Sequence, residues 1–182
     1  MLDHLLQESG TAGLTTGPLD VQIDGIISDS RRVEPNALFV ALRGMTVDGH
    51  DFIDAAIQQG AGAVVAEVPP PPERPDHLAW IQVESSATAL GALADAYHGH
   101  PSRALPVLAV TGTNGKTTTG WLLRNILVAA GHSVGMLGTV EYSDGHRRFA
   151  SQLTTPNARV QAELMASMAS LGTQHCVMEV SS

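Results

Sequence analysis

The chain has 182 residues, of which 43% are hydrophobic and 15% charged, which is enough apolar sequence to bury the core of one domain or of two small ones. Eighteen acidic against ten basic residues give a net charge of −8, and the lack of a basic run that could follow a phosphate backbone disfavours nucleic-acid binding. The start, MLDHLLQESG, does not resemble a signal peptide, and no apolar run approaches the ~20 residues that span a bilayer, so we expect a soluble cytoplasmic protein without membrane contact.

The first hundred residues alternate short apolar runs with alanine-rich segments, which is the pattern of an α/β domain. This pattern predicts strands at residues 25–28, 38–42, 63–67 and 79–83, and helices at residues 52–59 and 86–97. Between them, VPPPPERPDH (68–77) carries too many prolines for a sheet and predicts an exposed loop. GHPSR (99–103) then interrupts the pattern, so we place a domain boundary there, with domains at 1–100 and 101–182.

A glycine loop follows the next predicted strand, at residues 105–110, and precedes a predicted helix at 117–130. The stretch VTGTNGKTTT contains Lys116, the only lysine of the chain, and Gly112 and Gly115, which can take positive φ. Strand, glycine loop and helix together favour a phosphate site, in which a compact ammonium fits better than a guanidinium fork. Thr117 or Thr118 would offer a hydroxyl to Mg²⁺.

This loop departs from the pattern G-x-x-x-x-G-K-[ST] at one position, because Val110 stands where the first glycine would fall. The alternative is an ordinary strand–helix turn that contains glycine. Further along, the sequence predicts a strand at 133–140, a hairpin turn at Asp144-Gly145, a helix at 157–171 and a strand at 175–180.

Glu179 is an acidic residue inside the last apolar strand. At the carboxyl end of a parallel strand it could face the glycine loop and hold Mg²⁺, directly or through water. Its alternative is a solvent-facing place on an edge strand. Cys176, the single cysteine, lies in the same apolar run and predicts a buried thiol.

With these residues in view, the chain resembles the Mur ligases of peptidoglycan assembly over essentially its whole length. The resemblance is carried by TGTNGKTTT, LTTPNARVQAELMASMASLG and MEVSS, and in the first part by ISDSRRVEPNALFVALRGMTVDGHDFIDAAIQQGAGAVVAE. TTP followed by MEVSS points to the tripeptide-forming branch. The fold that the resemblance implies is α/β, with a small N-terminal UDP-sugar-binding α/β domain followed by the first part of a P-loop-type parallel-sheet ATP-binding domain.

The activity that the resemblance implies is an ATP- and Mg²⁺-dependent ligation. It would add meso-diaminopimelate to UDP-N-acetylmuramoyl-L-alanyl-D-glutamate through an acyl phosphate, with lysine left open as the added amino acid. The family's central domain continues beyond MEVSS and a third domain binds the amino acid, so we expect a monomeric N-terminal fragment with little ligase activity of its own. Two other functions stay open: a non-catalytic UDP-sugar- or nucleotide-binding module, and a P-loop NTPase or kinase.

The resemblance also implies roles for individual residues. Lys116 and Glu179 would be catalytic, and Thr117 and Glu179 would hold the metal. The ATP-binding residues would be Gly112, Thr113, Asn114, Gly115, Lys116, Thr117 and Thr118. The residues that contact the UDP-sugar substrate would be Ser28, Ser30, Met45, Thr46, Val47, Thr154, Thr155 and Ser181.

Some of these residues have a structural alternative. Ser30 could cap a turn, and Thr154 and Thr155 before a proline could be an ordinary helix entry with proline in the first turn. The adjacent Arg31 and Arg32 are typical of a solvated surface, so we leave them out of the site. His50 has no identifiable partner in the sequence, and we expect it to be structural.

Overall fold

A computed structural model describes residues 1–44, 46–151 and 153–181, in two compact units, Met1–Tyr97 (unit 1) and His98–Ser182 (unit 2). The boundary predicted after residue 100 lies three residues beyond this division. Among the residues described, none of the helices has the length and apolar composition needed to cross a bilayer.

The described part of unit 1 contains three α-helices and a five-stranded sheet. The helices are α1 (Leu2–Ser9), α2 (Ile53–Gln58) and α3 (Ser86–Tyr97), and the strands are β1 (Leu14–Thr16), β2 (Gly25–Ile27), β3 (Ala37–Val40), β4 (Ala63–Ala66) and β5 (Ala79–Gln82). The order is β1-β5-β4-β3-β2, in which β2 to β5 run parallel and β1 pairs antiparallel with β5. Every residue of β3 and β4 is buried, as expected of central parallel strands that are covered on both faces.

Two short 3₁₀ helices follow the carboxyl ends of neighbouring strands β2 and β3. Ser30–Arg32 is capped by Asp29, whose side chain accepts from the Arg31 amide, and Gly49–Phe52 is capped by Asp48, whose side chain accepts from the His50 amide. Because the two strands are parallel neighbours, these two turns lie at the same edge of the sheet.

Unit 2 contains a second five-stranded sheet and three helices. The helices are α4 (Pro101–Ala104), α5 (Lys116–Ala129) and α6 (Ala158–Ser170), and the strands are β6 (Val107–Val110), β7 (Val134–Leu137), β8 (Glu141–Ser143), β9 (Arg148–Ala150) and β10 (His175–Glu179). The order is β6-β10-β7-β8-β9, with the first three strands parallel and β8–β9 forming an antiparallel hairpin. Strand β10, which follows the other four in sequence, thus lies between β6 and β7 in the sheet.

The predicted α/β class is confirmed, and several elements agree closely with their predicted bounds. Helix α3 has the predicted ends, and the Asp144-Gly145 turn joins β8 to β9. Cys176 is fully buried as predicted, and burial raises the pKa of its thiol to about 12. Five of the named helices and strands have no predicted bounds, namely α1, β1, α4, and the strands β8 and β9 on either side of the predicted hairpin turn.

The strands predicted at 105–110 and 133–140 are too long. Strand β6 begins only at Val107, after Pro106, which has no N–H to donate to a ladder. Strand β7 ends at Leu137, because the two residues that follow turn toward Glu179. Only the second difference, at the carboxyl end of β7, lies beside the candidate site of unit 2.

Candidate nucleotide and substrate sites

The loop between β6 and α5, residues 111–115, needs glycine at two positions. Gly112 has φ 139° and Gly115 has φ 79°, both in the region that side chains rarely adopt. A Cβ added at Gly115 would meet nothing within 4 Å, and one at Gly112 would meet only the Asn114 carbonyl oxygen at 3.9 Å. The backbone conformation, and not crowding, therefore requires both glycines.

Val110, where the general phosphate-loop pattern has glycine, belongs to strand β6. It pairs with Glu179 in the parallel ladder, and its carbonyl accepts from the Val180 amide at 2.9 Å. A residue in the ladder has an extended backbone that any residue can adopt, so glycine is not needed at position 110. The loop begins at Thr111, after the strand, and its two glycines are unaffected by the departure from the pattern.

Helix α5 presents an uncapped N-terminus directly after this loop. Gly115 occupies the cap position, so no side chain satisfies the first-turn N–H groups there, and the first turn carries no acidic residue. The Thr119 amide makes the first bond of the helix, to the Gly115 carbonyl at 2.9 Å. Free amides and the positive end of the helix dipole favour an anion at this point.

Lys116 lies across the loop. Its Nζ donates to the Gly112 carbonyl oxygen at 2.7 Å, so the ammonium sits over the glycine turn instead of extending into solvent. An ammonium has three N–H donors, and this contact uses one of them. The remaining two are available to oxygens of an anion held by the loop.

Glu179 is fully buried at the carboxyl end of β10 and faces this loop. Its Oε2 accepts from the Thr117 hydroxyl at 2.9 Å and from the Thr139 hydroxyl at 3.0 Å, and its Oε1 accepts from the Thr139 amide at 3.1 Å. A solvent-facing position is therefore excluded. Buried carboxylates need such donors, because an uncompensated charge in the interior is costly.

Gly138 and Thr139 are parts of this site that the sequence analysis missed. A Cβ at Gly138 would lie 2.4 Å from Glu179 Oε1, so only glycine leaves room for the carboxylate. Thr139 then supplies two of the three donors to that carboxylate. The sequence offered no specific signal for either residue, because both lie within the strand predicted at 133–140.

The predicted substrate residues Thr154, Thr155 and Ser181 lie beside Glu179. The Thr155 hydroxyl donates to the Glu179 carbonyl at 3.0 Å and accepts from the Ser181 amide at 2.8 Å, while the Thr154 hydroxyl is 3.1 Å from that of Thr139. Asn157 caps α6 by accepting from the Val160 amide, so Pro156 precedes the helix instead of occupying its first turn.

The oxygen atoms of Thr117 and Glu179 are suitable ligands for Mg²⁺. Within the described part of the chain no three His, Cys, Asp or Glu side chains form a metal cluster. Mg²⁺ does not require one, because it binds through one or two carboxylates together with phosphate oxygens and water. One buried carboxylate with an adjacent hydroxyl, next to a loop suited to phosphate, fits that preference.

Unit 1 contains a cavity of about 680 Å³ at the carboxyl ends of β2 and β3. Three of the predicted substrate residues, Ser28, Ser30 and Val47, line it. Thr46 is exposed but is not part of the lining, and Met45 lies outside the described residues. The volume falls within the range of small-molecule sites.

Arg31 also lines this cavity, although the sequence analysis left it out. Its guanidinium donates to both carboxylate oxygens of Asp29, at 2.9 and 2.7 Å, and this contact lowers the pKa of Asp29 to about 2. Asp29, not Ser30, caps the turn. Arg31 therefore places an exposed guanidinium, ion-paired with Asp29, at the cavity wall.

His50 does have partners, so the expectation that it has none is wrong. Its Nδ1 lies 2.6 Å from Asp48 Oδ1, and its Nε2 accepts from the Glu67 amide at 3.0 Å. The expectation of a structural role agrees with this placement, because the ring is not part of the cavity lining.

Comparisons with known proteins give matches over most of the chain. Residues 22–98 match the Mur ligase family, catalytic domain, and residues 110–182 match the Mur ligase middle domain. A relative from Geobacter metallireducens is 40% identical over 166 residues, which is 91% of this chain and 32% of the relative. One from Parabacteroides distasonis is 45% identical, over 94% of this chain and 35% of the relative. Both are named UDP-N-acetylmuramoyl-L-alanyl-D-glutamate–2,6-diaminopimelate ligase.

Solved structures match the fold. The MurF ligase from Thermotoga maritima in complex with ADP has a TM-score of 0.53 at 28% identity, over 89% of this chain and 33% of that one. A UDP-N-acetylmuramoyl-L-alanyl-D-glutamate–2,6-diaminopimelate ligase has a TM-score of 0.66 at 23% identity, over 90% of this chain and 34% of that one. The present chain thus spans about a third of the length of the proteins it matches.

Proposed function

Because the chain belongs to the Mur ligase family, we propose that its units are the UDP-sugar-binding and ATP-binding parts of a ligase that forms an amide bond. The ligase adds diaminopimelate, in the meso form that the resemblance implies, to UDP-N-acetylmuramoyl-L-alanyl-D-glutamate; the names of its relatives give this substrate and 2,6-diaminopimelate. The observation that carries the proposal is the Lys116 loop facing the buried Glu179 carboxylate.

The chemical difficulty of this reaction is the meeting of two anions. A carboxylate of the muramoyl-dipeptide must attack the γ-phosphate of ATP, which releases ADP and gives an acyl phosphate. The incoming amine then attacks the acyl carbon, loses a proton and displaces inorganic phosphate, which leaves the amide. The loop amides and the Lys116 ammonium neutralise phosphate oxygens at fixed positions, which lowers the electrostatic cost of that approach. Gly112 to Thr118 form the binding segment in this proposal.

Thr117 and Glu179 are the residues that would hold Mg²⁺. When bound, the cation supplies Lewis-acid charge that neutralises the phosphate oxygens. The Thr117 hydroxyl donates its hydrogen to Glu179 and keeps its lone pairs free to act as a ligand. Thr139 donates to both carboxylate oxygens and holds the group in place, so the acid does not have to reorganise when the nucleotide arrives.

The cavity of unit 1 takes the uridine diphosphate portion of the substrate in this proposal. The Ser28 and Ser30 hydroxyls at the cavity wall would bond the nucleotide, and the exposed Arg31 guanidinium beside Asp29 would contact the diphosphate. Met45, Thr46 and Val47 are included on the resemblance. In unit 2, Thr154, Thr155 and Ser181 would contact the rest of the substrate beside the reacting groups.

Calorimetric titration with ADP, with and without Mg²⁺, tests the nucleotide site. We expect Lys116→Ala to weaken ADP binding about tenfold or more, because a charge-assisted hydrogen bond to phosphate is lost. Glu179→Gln should retain Mg²⁺-free binding and lose the increase in affinity that Mg²⁺ produces. Arg147→Ala is a matched control, because Arg147 lies in the β8–β9 turn, at the edge where the parallel strands begin.

Equal ADP affinity in the parent, Lys116→Ala and Arg147→Ala proteins would overturn the assignment of the loop. Turnover of ATP in the absence of any muropeptide, at a rate typical of kinases, would favour the NTPase or kinase alternative instead.

A further inference from the structure

A narrow loop borders the cavity of unit 1. It runs from Arg43 to Asp48, which form an isolated antiparallel bridge at its neck, and the Gly44 amide donates to the Val47 carbonyl at 2.9 Å. Gly44 and Val47 line the cavity. We call this segment the 43–48 loop; of its residues, Met45 lies outside those that the structure describes.

The neck of this loop is packed too closely for larger residues. A Cβ at Gly44 would lie 2.7 Å from the Val47 carbonyl oxygen, and one at Gly49, just past the neck, would lie 2.6 Å from the Leu42 carbonyl oxygen. Gly49 also donates to that carbonyl at 2.7 Å. The loop therefore has a defined backbone course at both of its ends.

Glu67, which directly follows the neighbouring strand β4, contacts both sides of the neck. On one side its Oε2 accepts from Arg43 Nε at 2.9 Å. On the other side its amide donates to Nε2 of His50, whose Nδ1 bonds Asp48 Oδ1 at 2.6 Å. Its remaining carboxylate oxygen accepts from the Ser86 amide, at the start of α3, at 3.0 Å.

We propose that Glu67 and His50 are positioning residues that fix the 43–48 loop against the cavity and thereby set its affinity for the uridine diphosphate group. The proposal rests on the proposed function of the cavity. Neither residue lines the cavity, so their effect on a ligand is indirect. The loop residues that face the ligand would otherwise have to be ordered during binding, and that ordering weakens affinity.

The hydrogen bonds of the two His50 ring nitrogens determine which substitutions keep Asp48 connected to the Glu67 amide. Nε2 accepts from the Glu67 amide and so carries no proton, which places the proton on Nδ1, where it is donated to Asp48. A glutamine at position 50 retains a carbonyl that can accept from the Glu67 amide. A leucine of similar size retains neither bond and leaves the amide without its partner.

The experiment is calorimetric titration of the full chain with UDP. The parent in this experiment is the Lys116→Ala protein, and every other variant carries the same change. Loss of Lys116 weakens binding of a diphosphate at the unit 2 loop, so the titration reports on the cavity of unit 1. We expect Glu67→Gln and His50→Leu each to weaken UDP binding about fivefold or more, with His50→Gln recovering part of the loss. Hydrogen exchange at amides 46–49 should be faster in the two weakened variants.

Asp24→Asn is the matched control for the loss of a hydrogen-bonded carboxylate. Asp24 accepts from Gln22 and Asn36 just before β2, at the opposite edge of the sheet from the cavity. The control should bind UDP with the parent affinity. Thermal melting of each variant without ligand separates a loss of fold from a loss of affinity.

The possible results are distinguishable. Parent affinity in folded Glu67→Gln and His50→Leu proteins would overturn the positioning role while leaving the proposed function standing. Failure of the parent to bind UDP would overturn the proposed function of the cavity, and the positioning role with it. If His50→Leu does not fold, Glu67→Gln decides, because its amide oxygen can still accept from Ser86.

Discussion

Substitution of Gly138 by alanine should damage unit 2 through a single collision. The new Cβ would lie 2.4 Å from Glu179 Oε1 and 3.1 Å from its Cδ, while Gly138 has no positive φ that would strain alanine. Relief of the collision to an ordinary carbon–oxygen separation of ~3.3 Å requires the carboxylate to move by about 0.9 Å. The Thr139 amide bond to Oε1, now 3.1 Å, would then be broken.

The expected destabilisation is about 2–4 kcal/mol, combining overpacking with the partial loss of a charge-assisted hydrogen bond. Native-state hydrogen exchange measures it, because amides of β7 and β10 should exchange roughly 30-fold faster or more, at ~1.4 kcal/mol per factor of ten. Amides of β4 and β5, in unit 1, serve as an internal reference that should not change. Mg²⁺-dependent ADP affinity should fall in the same variant.

Gly120→Ala provides the matched control, because Gly120 faces the same acid from helix α5. Its added Cβ would lie 3.5 Å from Met136 Cε and 3.8 Å from Glu179 Cγ, which are ordinary contacts. Alanine in a helix interior should stabilise unit 2 by about 0.5–1 kcal/mol. Unchanged exchange in Gly138→Ala, or equal losses in both variants, would refute the argument that Gly138 makes room for the carboxylate.

Three further predictions concern titration and reactivity. Arg31 lowers the pKa of Asp29 from its usual 3.8 to about 2. The ionised Asp29 therefore stabilises the folded state above about pH 4, and this contribution is lost as the pH falls toward 2. Arg31→Ala should raise the pKa of Asp29 again, as read by a carboxyl NMR titration. Cys176, whose thiol pKa burial raises to about 12, should resist iodoacetamide at pH 8 in the native protein and react in urea, as read by mass spectrometry. Nitrogen NMR should find neutral His50 protonated at Nδ1, and a ring protonated at Nε2 would contradict its bond to the Glu67 amide.

Much of the fold follows from local sequence pattern. The runs of β3, β4 and β10 are short and almost continuously apolar, as is typical of buried strands, whereas α3, with 12 residues, is long enough for a helical period to show. Strand β1 could not be found this way, because all three of its residues are exposed and it exists through pairing with β5. Its place depends on a partner more than sixty residues away.

The same distinction applies to the site of unit 2. Glu179 could be predicted, because an acid within a buried strand is costly and must have a compensating partner. Thr139 could not, since threonine is unremarkable at a strand end and the predicted strand at 133–140 would have included it in the ladder. Its role depends on β7 ending at Leu137 and on the room left by Gly138, so that both its amide and its hydroxyl turn to the acid. A buried charge thus indicates from sequence that partners exist, while the backbone that surrounds it determines which residues they are.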